Sequence, residues 1–203
     1  MREPLVKARA GILESQTTGV IDSHSYMKFL ESLISDHGGL IAVGSLATAV
    51  YQRDRNNPLQ GYRVHQGERP GHTDMEITAD FVVNAAGLGA VGIHNMLIGV
   101  NDASRRRNAY FAKGSYYTAR GTGKVGTLVY PVVDTGAGGL GTHLTVDLSG
   151  GVKFGPDVEW VEDPMDVAPS SKPEKLAAAE AAVREYLPGI EPGSLTSIYS
   201  GMR

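Results

Sequence analysis

The sequence predicts an α+β fold, a mixed and largely antiparallel sheet carrying helices. Two observations decide this. Short runs rich in β-branched and aromatic residues, Tyr110 to Ala119, Gly126 to Val133 and Gly141 to Leu148, recur between glycine turns, as strands that double back on one another do. Two other segments space apolar residues as one buried face of a helix requires: Tyr26, Phe29, Leu30, Leu33 and Ile34, then Leu176, Ala179, Val183, Tyr186 and Leu187.

The first helix opens after Ile21, where Asp22 or Ser23 can accept a first-turn N–H, and Gly38 or Gly39 supplies its stop. Leu40 to Tyr51 reads as a strand, followed by a polar turn ending Asn56-Asn57-Pro58. Gly61 to Gln66 and Asp74 to Val83 continue as strands around the turn Gly67-Glu68-Arg69-Pro70-Gly71. Asn84-Ala85-Ala86-Gly87 closes the last of these, and a helical pattern resumes through Leu97. After the strand-rich stretch, Val161 to Ser171 carries Pro164 and Pro169 and reads as an irregular connection. Pro173 then suits the first turn of a helix capped by Ser170 or Ser171 and ended by Pro188.

Composition bounds the chemistry. With 203 residues, 41% of them hydrophobic, the chain can bury one good core and a second, smaller one. The net charge is -3, and the one basic cluster, Arg105-Arg106-Arg107, lacks interleaved aromatics, so nucleic acid is not an expected partner. No cysteine is present, which removes disulfides, thiolate metal sites and thiol catalysis together. The N-terminal residues lack an apolar signal core, so a cytoplasmic or mitochondrial protein is expected rather than a secreted one. Phe81 to Val100 approaches the roughly 20-residue length of a membrane span, but Asn84, His94, Asn95 and interspersed glycines argue for a buried strand and helix instead. The histidines form no HExxH pattern, no metal is expected, and Gly121-Thr122-Gly123-Lys124 lacks the spacing of a phosphate loop.

Candidate functional groups concentrate in the strand-rich half. Lys113-Gly114-Ser115-Tyr116-Tyr117 offers a cation, a hydroxyl and two rings within five residues. On a strand, Lys113, Ser115 and Tyr117 face one way and Tyr116 the other, so only part of the set can line one site. In Gly139-Leu140-Gly141-Thr142-His143-Leu144-Thr145-Val146-Asp147, alternation puts His143 and Thr145 on one face. A neutral imidazole, with an ordinary pKa near about 6.5, suits the removal of a hydroxyl proton, and His143 is the candidate base.

These segments, followed by Phe154-Gly155-Pro156-Asp157-Val158-Glu159-Trp160 and preceded by Asn84-Ala85-Ala86-Gly87, resemble the FAD-dependent oxidoreductases of the D-amino acid oxidase-like superfamily. Within it they resemble the flavin-dependent 2-hydroxy acid dehydrogenases that act on L-2-hydroxyglutarate. The resemblance implies a partial, Rossmann-like FAD-binding subdomain beside the substrate-binding sheet. It divides the chain into 1–22, entering from the substrate domain, 23–98, the remnant of the FAD domain, and 99–203, the substrate sheet.

The glycine-rich GxGxxG unit that opens such enzymes has no counterpart here. By resemblance, Val50, Asn84, Ala85, Ala86 and Gly87 would meet FAD. Lys113, Tyr116, Tyr117, Tyr130, Thr145 and Arg203 would contact a small 2-hydroxy acid, the Arg as a carboxylate clamp.

Three readings follow: a 2-hydroxy acid dehydrogenase or a piece of one, with hydride passing to FAD; a flavin-free domain binding a small acid or a protein; and a cofactor-independent isomerase or cyclase. An orphaned sheet edge, where absent strands would lie, is expected to favour homo-oligomers.

Overall fold

The computed structural model describes residues 3–54, 56–69, 71–98, 103–132 and 141–203. Pro70, Val100, Val133, Gly139 and Leu140, which figure in the readings above, lie outside them. The chain forms two compact units, one made of Met1–Met27 with Tyr110–Arg203 and the other of Lys28–Ala109.

Helix α1 spans Ser23–Asp36. Asp22 caps it, its carboxylate accepting the Ser25 N–H at 3.0 Å and the Ser25 hydroxyl at 2.8 Å. The chain leaves the helix through Gly38, with the Gly39 N–H returning to the Ile34 carbonyl at 2.8 Å. The expected buried face is not buried: Tyr26, Phe29, Leu30, Leu33 and Ile34 are all exposed.

Within Lys28–Ala109, strands β1 (Leu46–Gln52), β2 (Tyr62–Gly67) and β3 (Met75–Ala79) form an antiparallel sheet in the order β1-β2-β3. Helix α2 (Ala90–Ile98) packs against β1. Tyr51, Thr73 and Glu76 converge on His65 and stitch one face of this sheet.

Two strands are shorter than the sequence suggests. The ladder starts at Leu46 rather than Leu40 and stops at Ala79 rather than Val83. Residues 40–45 and 80–86 have no strand partner among the described residues, and Leu40, Phe81 and Val83 are 96%, 87% and 88% exposed. β-propensity alone does not make a ladder, because a strand also needs a neighbour for its N–H and C=O groups.

The other unit is built on β4 (Phe111–Thr118), β5 (His143–Val146), β6 (Val152–Gly155), β7 (Glu159–Val161), helix α3 (Pro173–Tyr186) and β8 (Thr196–Met202). β4 is central. It pairs antiparallel with β8 along one edge and with β6 and β7 along the other, while β5 pairs with β6. The segment 154–160 thus supplies the end of β6 and the start of β7. The expected strand at Gly126 is reduced, among the described residues, to a single bridge between Val129 and Leu144.

One face of this sheet holds the core. Tyr117, Leu144, Val146 and Phe154 meet Ala179, Val183 and Tyr186 of α3, with Val6, Val125, Leu187, Ile190 and Leu195 closing the cluster. The α3 stripe is buried as its spacing predicts. Its cap differs: Lys172 is the N-cap and offers no side-chain bond, while the Ser170 N–H is given to Ser115 Oγ at 3.0 Å. Pro173 at the first turn needs no such partner, since it has no N–H to satisfy.

Candidate functional site

The sheet face opposite this core carries the candidate site. Strand alternation assigns the faces: Phe154 and Leu144 point into the core, so their neighbours Lys153, Gly155, His143 and Thr145 point away. In the register, His143 lies opposite Gly155 and Thr145 opposite Lys153. On β4 the core takes Tyr117, leaving Tyr116 on the site face, opposite Tyr199 of β8.

The result is one row of side chains running across four strands. Tyr199 stacks on Tyr116 with ring centroids 4.7 Å apart, and Tyr130 stacks on His143 at 4.3 Å. Gly155 sits beside Tyr116. A Cβ built there would lie 2.7 Å from the Ser115 carbonyl and 3.3 Å from the Tyr116 ring, and its φ of 127° excludes ordinary side chains. The two stacked pairs therefore stand either side of a position where only hydrogen fits.

His143 is buried, and its Nδ1 lies 3.3 Å from the Gly141 carbonyl. A carbonyl can only accept, so this bond places the proton on Nδ1 and the lone pair on Nε2. Nε2 has no hydrogen-bond partner among the described residues. Burial pushes the pKa of His143 below its ordinary value, against the raising effect of the Gly141 bond, so the ring is neutral at neutral pH. Burial, then the neighbouring Tyr199, raise the pKa of Tyr116 while Arg203 pulls it down, so Tyr116 remains a hydroxyl donor.

Arg203 is anchored through its backbone. Its N–H and C=O pair with Ala112 at 3.0 and 2.8 Å, extending the β8 ladder and putting Arg203 on the same face as Tyr199 and Gly201.

Lys113 and Tyr117 are not brought to this row. Both lie on the core side of β4. Lys113 is buried, with Nζ 2.9 Å from Asp166 Oδ2 and 4.0 Å from Glu159 Oε2. Tyr117 is fully buried and donates to Asp157 Oδ2 at 2.8 Å. Asp157 also accepts the Ser115 N–H at 2.7 Å, holding β4 where its neighbour changes from β6 to β7. Lys113 thus faces two carboxylates on the core side of β4 and is not brought to the row that holds His143.

Two participants in the row escaped the sequence reading. Neither Gly155 nor Tyr199 is among the candidate site residues named from the sequence. Alternation from Phe154 was the available signal for Gly155; the pairing that sets Tyr199 on Tyr116 depends on a long-range register that no local pattern carries.

In the other unit, Val50 is buried in β1, opposite Val64. The Asn84–Gly87 turn is largely exposed and organised by its own side chain: Asn84 Nδ2 donates to the Ala90 carbonyl at 2.8 Å and Oδ1 accepts the Ala86 N–H at 3.4 Å. Gly87 has φ 53°, and no heavy atom lies within 4 Å of a Cβ built on it.

A model of the FAD-dependent oxidoreductase (DAO) family matches residues 1–203. The chain belongs to this family. It is also 31% identical over 230 aligned positions to the mitochondrial L-2-hydroxyglutarate dehydrogenase of Arabidopsis thaliana, covering 99% of this chain and 47% of that protein. The chain thus spans about half the length of that curated relative. The mixture of helices and antiparallel sheets agrees with the α+β expectation, and no described helix is long and apolar enough to cross a membrane.

The family implies FAD, and the Asn84–Gly87 turn fits part of such a dinucleotide. Its side chains are small, its backbone is accessible, and the space above Gly87 is open.

Proposed function

We propose that this chain carries the substrate-handling half of an FAD-dependent oxidation of a small 2-hydroxy acid, such as 2-hydroxyglutarate. The observation that supports it is the row Tyr199, Tyr116, Gly155, His143 and Tyr130, in which a neutral imidazole with its lone pair on Nε2 stands across a glycine from a phenol donor. The substrate hydroxyl gives its proton to His143 Nε2, a role general bases of this kind perform with about 10²- to 10⁴-fold effect. Tyr116 donates to the substrate's oxygen atoms, Arg203 and Thr145 hold its carboxylate, and Tyr130 fixes the imidazole plane.

FAD, when bound, supplies the two-electron acceptor for the substrate's hydride. The residues that would hold it are the backbone of Asn84, Ala85, Ala86 and Gly87 and, at its adenine side, the backbone at Val50. The relative's mitochondrial name supports a mitochondrial setting, and the exposed apolar face of α1 with the segments 40–45 and 80–86, which have no strand partner among the described residues, supports self-association.

The test is to incubate the purified chain with FAD, desalt it, record the visible flavin bands, and add L-2-hydroxyglutarate without oxygen. Retained flavin that bleaches on addition is the expected result, with bleaching slowed about 100-fold or more in His143→Ala while flavin content and circular dichroism are unchanged. Equal bleaching rates would remove His143 from the reaction, and absence of retained flavin would mean that this half does not act alone.

A further inference from the structure

The site face carries a cation to which the reaction above gives no task. Lys153 lies directly opposite Thr145 in the β5–β6 ladder. It is thus one side-chain step, about 7 Å of strand, from the Gly155–His143 pair on the same face. Its Nζ stands 5.7 Å from the centre of the Tyr199 ring, whose other partner is Tyr116, and 3.2 Å from Asp147 Oδ2.

At the least, Lys153 and Asp147 tie their own hairpin together. The hairpin does not need the lysine for that. Asp147 Oδ1 already accepts the Ser149 N–H at 3.0 Å, the Ser149 hydroxyl at 2.6 Å and the Gly151 N–H at 2.8 Å, so the turn is closed without it. The Ser149 hydroxyl foremost, then the Gly151 N–H and then Lys153 itself, hold the Asp147 carboxyl far below the usual range, which keeps it ionised as a fixed anchor. The ion pair itself leaves both side chains about one third exposed, at 32% and 33%, a setting in which such pairs contribute little to stability. Lys153 retains donors beyond the one facing Asp147, and they lie beside the same aromatic row that flanks His143.

We propose that Lys153, held in position by Asp147, is the specificity-determining residue of this face and takes the second carboxylate of a dicarboxylate 2-hydroxy acid. This rests on the reading that the row binds a 2-hydroxy acid. It assigns the two cations of the face separate tasks: Arg203, which influences Tyr116, meets the carboxylate next to the reacting carbon, and Lys153 meets the distal one. Lys113, the cation that sequence reasoning chose for this contact, is paired on the other side of the sheet.

Calorimetric titration of the chain with L-2-hydroxyglutarate and with L-2-hydroxybutyrate, which lacks the distal carboxylate, tests the assignment. The wild type is expected to bind the dicarboxylate about tenfold more tightly or better, as a charge-assisted contact allows. Lys153→Met should bring the two affinities together, Lys153→Arg should retain the preference, and Asp147→Asn should weaken it without abolishing it. Lys153→Gln serves if the Met variant does not fold. Equal wild-type affinities would overturn the role of Lys153 and leave the hydroxy-acid reading standing, as would a preference that survives Lys153→Met. Failure of the wild type to bind either acid would overturn both.

Discussion

Helices α1 and α3 are each 14 residues long and each carries an apolar stripe at helical spacing, yet α1 buries none of its residues while α3 buries Ala179, Val183 and Tyr186. The same contrast holds for the two units. The one built on β4 contains the hydrophobic cluster around Phe154 and Tyr117; in Lys28–Ala109 the one buried hydrophobic side chain among the described residues is Val50. Periodicity specifies which face of an element favours burial. Whether that face is buried depends on whether a partner surface is present. The unpartnered side of this comparison belongs to a chain that covers 47% of its relative's length.

The largest expected effect breaks the comparison where it is sharpest. Phe154→Ala removes a fully buried ring from the core and should destabilise the β4 unit by about 3–5 kcal/mol. Phe81→Ala, at a residue 87% exposed, should change stability by no more than about 0.5 kcal/mol. Urea titrations of the two variants measure both. A large loss in Phe81→Ala would show that the segment 80–86 is covered in solution, by another copy or by another part of the protein.

The same contrast explains what could be read in advance. Helix spans, the Asp22 cap, the β4 strand and the shared face of His143 and Thr145 follow from local spacing, which the sequence carries directly. Three features do not. The ends of β1 and β3 depend on neighbours that residues 40–45 and 80–86 lack among the described residues. The side of the sheet that Lys113 occupies depends on where Asp166 and Glu159 arrive from far along the chain. The juxtaposition of Tyr199, Tyr116 and Gly155 depends on pairing registers between strands distant in the sequence, β8 with β4 and β4 with β6, to which the local β5–β6 hairpin adds His143. No local pattern encodes those registers.

A smaller effect sharpens the comparison within the β4 unit by separating its site face from its core face. Gly155→Ala would put a methyl group 2.7 Å from the Ser115 carbonyl at a φ of 127°, and a strained position of this kind costs about 1–3 kcal/mol. Because the same methyl reaches the Tyr116 ring, binding of a 2-hydroxy acid should fall by more than the stability loss alone explains. Thermal unfolding and calorimetric titration of one preparation distinguish the two. A variant that is less stable but binds normally would place the ligand away from Gly155.

The smallest effect is acid sensitivity. The bond from Lys172 holds the Glu159 carboxyl below its ordinary range against the opposing effect of burial, and the bond from Lys113 does the same for Asp166. Carboxylates whose folded pKa is depressed stabilise fully above their unfolded values, near about 4, and that stability is lost as pH falls through the lower folded values. The β4 unit should therefore lose stability most steeply below about pH 4, with a smaller decline beginning as pH falls below about 6.5, where His143, whose folded pKa is depressed by burial, starts to bind its proton in the unfolded chain. Glu159→Gln should flatten that decline, because it removes one of the titrating groups, while also lowering stability at neutral pH by leaving Lys172 without its 2.7 Å partner. An unchanged acid limb in Glu159→Gln would assign the decline to other carboxylates, Asp166 first among them, and would reduce the lysine cluster around Glu159 to a set of contacts that orient β7 without governing the pH response.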